Sequence, residues 1–157
     1  MAFYGVMKNE SPMLVLVVED HQDTLDMFTT ILGERFAVVG RGSAAEALKT
    51  LRIVRPDVVM LDIGMAPVDG LECLEAIRAM PGYETLPAVA VTGHAREVDR
   101  QRFLAAGFQA VLTKPLFDEE ELIAAIRRAV GESLTGHAKP GTLSDCGNRG
   151  IPVTGAA

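Results

Sequence analysis

Met13-Leu-Val-Leu-Val-Val-Glu-Asp20 is the stretch on which the fold turns. Its six apolar residues, half of them β-branched, suit a short strand buried on both faces of a parallel sheet, and the run stops abruptly at two acids. A helix is expected next. Leu25, Phe28 and Leu32 recur at helical spacing within 22–33, and Gly33 supplies a stop. Beyond them the alternation repeats, with a strand at Phe36 to Val39 and a capping-box pattern at Ser43-Ala-Ala-Glu46. That box opens a helix carrying Ala47, Leu48 and Leu51 on one face. Val58-Val-Met-Leu61 is a third buried strand and also ends in an acid, Asp62. Asp69-Gly-Leu-Glu72 caps the helix of Leu71, Leu74 and Ile77. Ala88 to Thr92 reads as a strand, Arg96 to Ala106 as a helix closed by Gly107, and Ala110 to Thr113 as a fifth strand. Asp118 to Glu121 then starts a last helix that turns Leu122, Ile126 and Ala129 inward.

Five strand–helix units in strict alternation predict a doubly wound α/β domain with a five-stranded parallel sheet and right-handed crossovers. Periodicity alone does not order the strands, but the flavodoxin-like order 2-1-3-4-5 is a common solution for five such units. The chain has 157 residues, which suits one domain. Residues 1–12 read as an N-terminal extension ending at Ser11-Pro12, 13–131 as the domain, and 132–157 as a polar, glycine-rich tail that cannot bury a second core. Fifteen Lys and Arg stand against 21 Asp and Glu, for a formal net charge of -6, a field of the wrong sign for tracking nucleic-acid phosphates. The opening apolar run is too short to span a bilayer, so neither membrane nor nucleic-acid partners are expected, and the expected location is the cytoplasm. Cys73 and Cys146 sit in unlike contexts and read as reduced thiols without assigned chemistry.

Ligands of open α/β sheets bind outside the carboxyl ends of the strands, and the residues found there are chemically unusual. Strand one ends in Glu19-Asp20, strand three in Asp62, strand four in Thr92, and strand five in Lys114-Pro115. Two carboxylates ~4 Å apart repel by roughly 4 kcal/mol at an effective dielectric of ~20, so three together require a counter-charge or must take up protons. A divalent cation answers that requirement. The donors are all oxygen, which favours Mg²⁺ held by Glu19, Asp20 and Asp62. With the metal and Lys114 the formal sum is neutral, and such a pocket can accept a phosphoryl group. Asp62 is then the nucleophile that becomes an acyl phosphate, while Thr92 and Lys114 meet the oxygens being transferred.

Other polar residues have plainer readings. Asp23 and Asp69 suit first-turn or capping positions, and Asp118 to Glu121 a helix start. His21 and His94 read as exposed loop residues. Met60, Met65 and Met80 read as gap-filling apolar side chains.

Taken in order, Met13–Asp20, Val58-Val-Met-Leu-Asp62-Ile-Gly64 with Val68-Asp-Gly-Leu-Glu72, Val89-Ala-Val-Thr92-Gly-His-Ala95, and Leu112-Thr-Lys-Pro-Leu116 resemble the receiver domain of two-component response regulators. The resemblance spans residues 13–131. It implies a flavodoxin-like fold and Mg²⁺-dependent phosphoryl transfer from the phosphohistidine of a sensor histidine kinase or histidine phosphotransfer protein to Asp62. It also implies a backbone carbonyl at Gly64 in the metal shell and a cis Lys114–Pro115 bond. Such a domain is a phosphoacceptor that assists its own phosphorylation and dephosphorylation rather than a separate enzyme. Its output is protein contact, and the resemblance allows a homodimer through helix four, strand five and helix five.

Two departures from the family pattern stand out. Val111 replaces the aromatic residue usual three places before the lysine, and Ala66-Pro67 shifts the usual proline by one. Gly64 offers no side chain to orient an attacking water, which puts weight on His94 in setting acyl-phosphate lifetime. Two other classes compete with this reading: a pseudo-receiver scaffold that is never phosphorylated, and a flavodoxin-like binder of FMN or a nucleotide. The acids at 19, 20 and 23 oppose the second by repelling a phosphate dianion.

Overall fold

In a computed structural model of the chain, the described residues are 12–93, 96–115 and 118–135. Strands and helices alternate as β1 (Leu14–Val18), α1 (Gln22–Leu32), β2 (Ala37–Arg41), α2 (Ala44–Leu51), β3 (Val58–Asp62), α3 (Gly70–Arg78), β4 (Ala88–Thr92), α4 (Glu97–Ala105), β5 (Ala110–Thr113) and α5 (Glu119–Thr135). All neighbouring strands pair in parallel, in the order β2-β1-β3-β4-β5. The expected flavodoxin-like architecture is therefore the one observed.

Strand periodicity explains why the central runs are apolar throughout. Leu16, Val18, Val59, Leu61, Ala88, Ala90 and Val111 face one core, where they meet Ala47 and Leu51 of α2, Leu74 and Ile77 of α3, and Phe103 of α4. The alternate residues Val15, Val17, Val58, Met60, Val89, Val91 and Leu112 face the other. That second core is closed by Leu25, Phe28 and Leu32 of α1 and by Leu122, Ile126 and Ala129 of α5. Each strand thus needs apolar residues at both parities.

Local signals set the helix ends. Asp69 caps α3 with a complete capping box, its Oδ1 accepting from the Glu72 N–H at 2.8 Å while Glu72 Oε1 accepts from the Asp69 N–H at 3.0 Å. At α2 the box is displaced. Ser43 Oγ accepts from the Glu46 N–H, but the Glu46 carboxylate reaches the N–H of Gly42, one residue before the cap. Gly107 ends the α4 turn at φ +114, where a Cβ would collide with the Arg78 guanidinium. Only glycine suits both demands. Helix α4 is sparsely anchored: Phe103 is its one buried side chain, and Arg100 donates to the Val111 carbonyl at 3.1 Å.

Two boundaries differ from expectation. β2 starts and ends later than Phe36–Val39 because its register with β1 runs from Leu14↔Ala37 to Val18↔Arg41, while Phe36 drops into the α1–α5 core. Gly40 allows this. A Cβ there would press within 3.1 Å of Leu25 and Thr29. Helix α5 passes through Gly131 and ends at Thr135, beyond the boundary read at 131; the remainder of the expected tail lies outside the described residues, as does the extension before residue 12.

Replacing Asp69 with Ala removes the side-chain half of the α3 box and is expected to lower stability by about 1 kcal/mol. A urea titration checks this, and an unmoved midpoint would mean that the α3 terminus does not depend on its cap.

Candidate functional site: an acidic cluster over the strand ends

Parallel pairing of β1 with β3 carries their terminal acids to one place. Glu19 continues the β1 ladder by one bond, its N–H donating to the Arg41 carbonyl at 3.0 Å, and Asp62 is the last residue of β3. One carboxylate oxygen from each of Glu19, Asp20 and Asp62 lies within 4.8 Å of the others. Glu19 and Asp62 are buried, at 1% and 7% exposure, whereas Asp20 is open to solvent. Thr92 is buried at the end of β4, one residue past Val91, the register partner of Asp62.

Lys114 reaches this cluster from the far side of the sheet. Its N–H donates to the Thr92 carbonyl at 2.8 Å, extending the β4–β5 ladder and aiming the side chain across β4. Nζ then stands 3.0 Å from Glu19 Oε1 and 3.4 Å from Asp62 Oδ1. Burial works to pull the Lys114 ammonium down, but the Glu19 hydrogen bond and the charges of Asp62 and Glu19 outweigh it, so its pKa is raised. Burial pushes the Glu19 carboxyl up, against the lowering by Lys114 and by the His21 N–H on Oε2. Nearby Asp62 pushes it further in the same direction.

The loop after β3 is tied to the same acids. The Gly64 N–H donates to Asp62 Oδ1 at 3.1 Å, the oxygen that Lys114 also approaches, and the Ala66 N–H meets Asp20 Oδ2 at 3.4 Å. Between them Met65 is buried in the α2–α4 core, as a gap-filling residue should be. The Lys114–Pro115 bond is cis, and so is Ala66–Pro67. The second cis bond and the Asp20–Ala66 contact carried no sequence signal. His21 is the exposed N-cap residue of α1, with Nδ1 3.2 Å from Thr24 Oγ1, and Asp23 lies in the first turn. Val111 is buried in the core on the α2–α4 side of the sheet. His94 lies outside the described residues.

Three clustered carboxylates and one ammonium leave a formal excess of two negative charges. The donors are hard oxygens, without sulfur or imidazole, and Asp20 and Gly64 leave one side of the cluster open to water. This set fits a hydrated divalent cation of the magnesium type.

A flavodoxin-like sheet whose strand ends gather three acids and one lysine places the chain among doubly wound α/β domains with a charged site at the carboxyl edge of the sheet. Within that group, the chain belongs to the response regulator receiver domains of two-component signalling, whose family model matches residues 15–127. An uncharacterised 14.6 kDa protein of Leptolyngbya boryana is 40% identical over 123 residues, covering 78% of this chain and 93% of its own length. The DNA-binding response regulator MtrA of Mycolicibacterium smegmatis is 36% identical over 116 residues, 72% of this chain but 48% of its own. The chain thus spans about half of that longer relative. Among solved structures, chemotaxis protein CheY4 of Vibrio cholerae superposes with a TM-score of 0.71 at 27% identity, covering 76% of this chain and 99% of CheY4. The receiver domain of sensor histidine kinase PA1611 from Pseudomonas aeruginosa, described with a magnesium ion coordinated in its active site cleft, gives 0.69 at 26%, covering 77% and 99%.

The raised Glu19 carboxyl makes a signed prediction about pH. With its folded pKa above the ordinary 4.5, the native state holds the proton more tightly, so this group's contribution to stability falls as pH rises from about 4.5 through the folded value. The Lys114 contribution has the opposite character: it is fully present below 10.5 and is lost as pH passes the raised folded value. In chelator, the stability of wild type relative to Glu19→Gln is expected to decline across the acidic window. Parallel curves for the two proteins would contradict the assignment.

Proposed function

We propose that this receiver domain accepts a phosphoryl group on Asp62 from the phosphohistidine of a histidine kinase or phosphotransfer protein, with Mg²⁺ bound by Glu19, Asp20, Asp62 and the Gly64 carbonyl. The observation that carries the reading is Lys114 Nζ standing between Glu19 Oε1 and Asp62 Oδ1, over three carboxylates drawn within 4.8 Å. An acid cluster maintained at that cost in repulsion is poised for a cation and a phosphate together.

An Asp62 carboxylate oxygen attacks phosphorus, the P–N bond to the donor imidazole breaks with its electron pair returning to nitrogen, and an acyl phosphate results. Lys114, kept protonated by its two acidic neighbours, supplies positive charge to the transferring oxygens, and the Thr92 hydroxyl offers them a hydrogen bond. Gly64 fixes the carboxylate plane through its N–H on Oδ1. When bound, the metal neutralises the charge that otherwise accumulates on the phosphoryl oxygens. Glu19 and Asp20 hold it and take no part in covalent chemistry. The domain thereby assists its own phosphorylation and dephosphorylation, with output through protein contact. DNA binding belongs to the name of the longer MtrA proteins, and this acidic chain is assigned none.

Incubation with a small-molecule phosphodonor and Mg²⁺, followed by intact-mass measurement, is expected to add one phosphoryl group to wild type and none in excess chelator. Asp62→Asn is expected to abolish the gain while retaining the fold. If wild type gains no mass with Mg²⁺, the scaffold reading replaces this one. Lys114→Ala is expected to slow incorporation by at least roughly tenfold while shifting the Mg²⁺ dissociation constant much less. Equal losses in both would make Lys114 a part of the metal site alone.

A further inference from the structure

On the side of the sheet covered by α2, α3 and α4, two features fit each other. One is a groove of about 630 Å³ between α3 and the end of α4. Leu74 lies buried at its floor with Leu71 half-buried beside it, and the small side chains of Ala79 and Ala106 leave it open to solvent. Glu72 and Glu75 stand exposed along its α3 rim. Arg78, the cation of the lining, is engaged inward: its Nη2 donates to the Leu86 carbonyl at 2.7 Å, and the guanidinium packs against Gly107. The groove is thus apolar within and acidic at its mouth.

The other feature is Ile53, which follows directly on α2. At 86% exposure it is the most exposed large apolar side chain among the described residues. Its backbone is firmly held. The Ile53 N–H donates to the Thr50 carbonyl at 2.9 Å, and the buried Tyr83 hydroxyl lies 2.6 Å from the Leu51 carbonyl and 3.3 Å from that of Val54. Two exposed arginines, Arg52 and Arg55, flank it. Arg55 is fixed over the Tyr83 ring at 4.8 Å and donates to the Gly82 carbonyl at 2.8 Å. Among the described residues, neither Arg52 nor Glu75 has an ion pair.

We propose that Ile53 of one copy of the chain seats in the α3–α4 groove of a second copy, with Arg52 against Glu75, and that the exchange is reciprocal about a two-fold axis. Seating Ile53 on Leu71 and Leu74 removes from water the apolar surface that the free chain exposes on both features. A side chain presented on a stiff loop loses little freedom in docking. The charges agree as well, since the arginines beside Ile53 meet the acids of the rim, and opposed charge sets the register of such a contact. Knob and groove belong to one helical layer, so a single patch carries both halves of the contact, as two-fold pairing requires. A pairing through α4, β5 and α5 would instead leave Ile53 in water.

Sedimentation velocity of the full chain from about 10 µM to about 1 mM is expected to show a monomer–dimer equilibrium. A chain that stays monomeric throughout, or that grows past the dimer, overturns the proposal. Each substitution enters a two-fold interface twice, so Ile53→Asp is expected to lower the association constant at least roughly a hundredfold. Arg52→Glu and Glu75→Arg are each expected to lower it at least roughly tenfold, and the two combined to return it to within about threefold of wild type. All three positions are exposed, so the fold does not depend on them. A dimer that survives Ile53→Asp, or a double variant that associates no better than the single ones, overturns the pairing.

Discussion

Like charges held together against their own repulsion are the constraint around which this domain is organised. Glu19, Asp20 and Asp62 are brought within 4.8 Å by backbone pairing that takes no account of their charge. The sheet supplies the force that makes this tolerable, since β1 and β3 are locked in register by ladder bonds and by buried side chains on both faces. Lys114 removes part of the excess, and it can do so because its own backbone is fastened to Thr92. Two cores, one ladder and one ammonium thus combine to hold an arrangement that loose chains would disperse.

The division of labour between the ends of the sheet follows from strand direction. Because all five strands run the same way, Glu19, Asp20, Asp62, Thr92 and Lys114 are all delivered to one edge. The loop after β3 carries a backbone that the acids themselves organise, through the N–H groups of Gly64 and Ala66. Their conformation and the electrostatics of the cluster are one problem, not two.

Most of the architecture could be read directly from the residues. Doubly apolar runs at 13–18, 58–61 and 88–92 signal strands covered on both sides, and the helices announce themselves through Ser43, Asp69 and Gly107. The gathering of Glu19, Asp20, Asp62 and Lys114 was legible too, because parallel strands must bring their ends to a common edge. Legibility failed where non-local packing decides. The register of β2 depends on Leu14 and on the space under Gly40, neither of which leaves a periodic trace. The bond from Ala66 to Asp20 spans 46 positions and involves a backbone N–H, so no residue type advertises it. The change to polar, glycine-rich composition after residue 131 reads as the end of the domain, yet α5 carries on to Thr135.

Helix α4 stands apart from its neighbours in how little holds it. Phe103 is the one side chain it buries, against Cys73, Leu74 and Ile77 of α3, and the Arg100 guanidinium adds a hydrogen bond to the Val111 carbonyl. Free energies of local opening within one native protein range from near zero to the global value, and they scale with such attachments. α4 therefore lies at the yielding end of that range. Its amide hydrogens are therefore expected to exchange with solvent faster than those of α3, through local excursions that leave the sheet undisturbed.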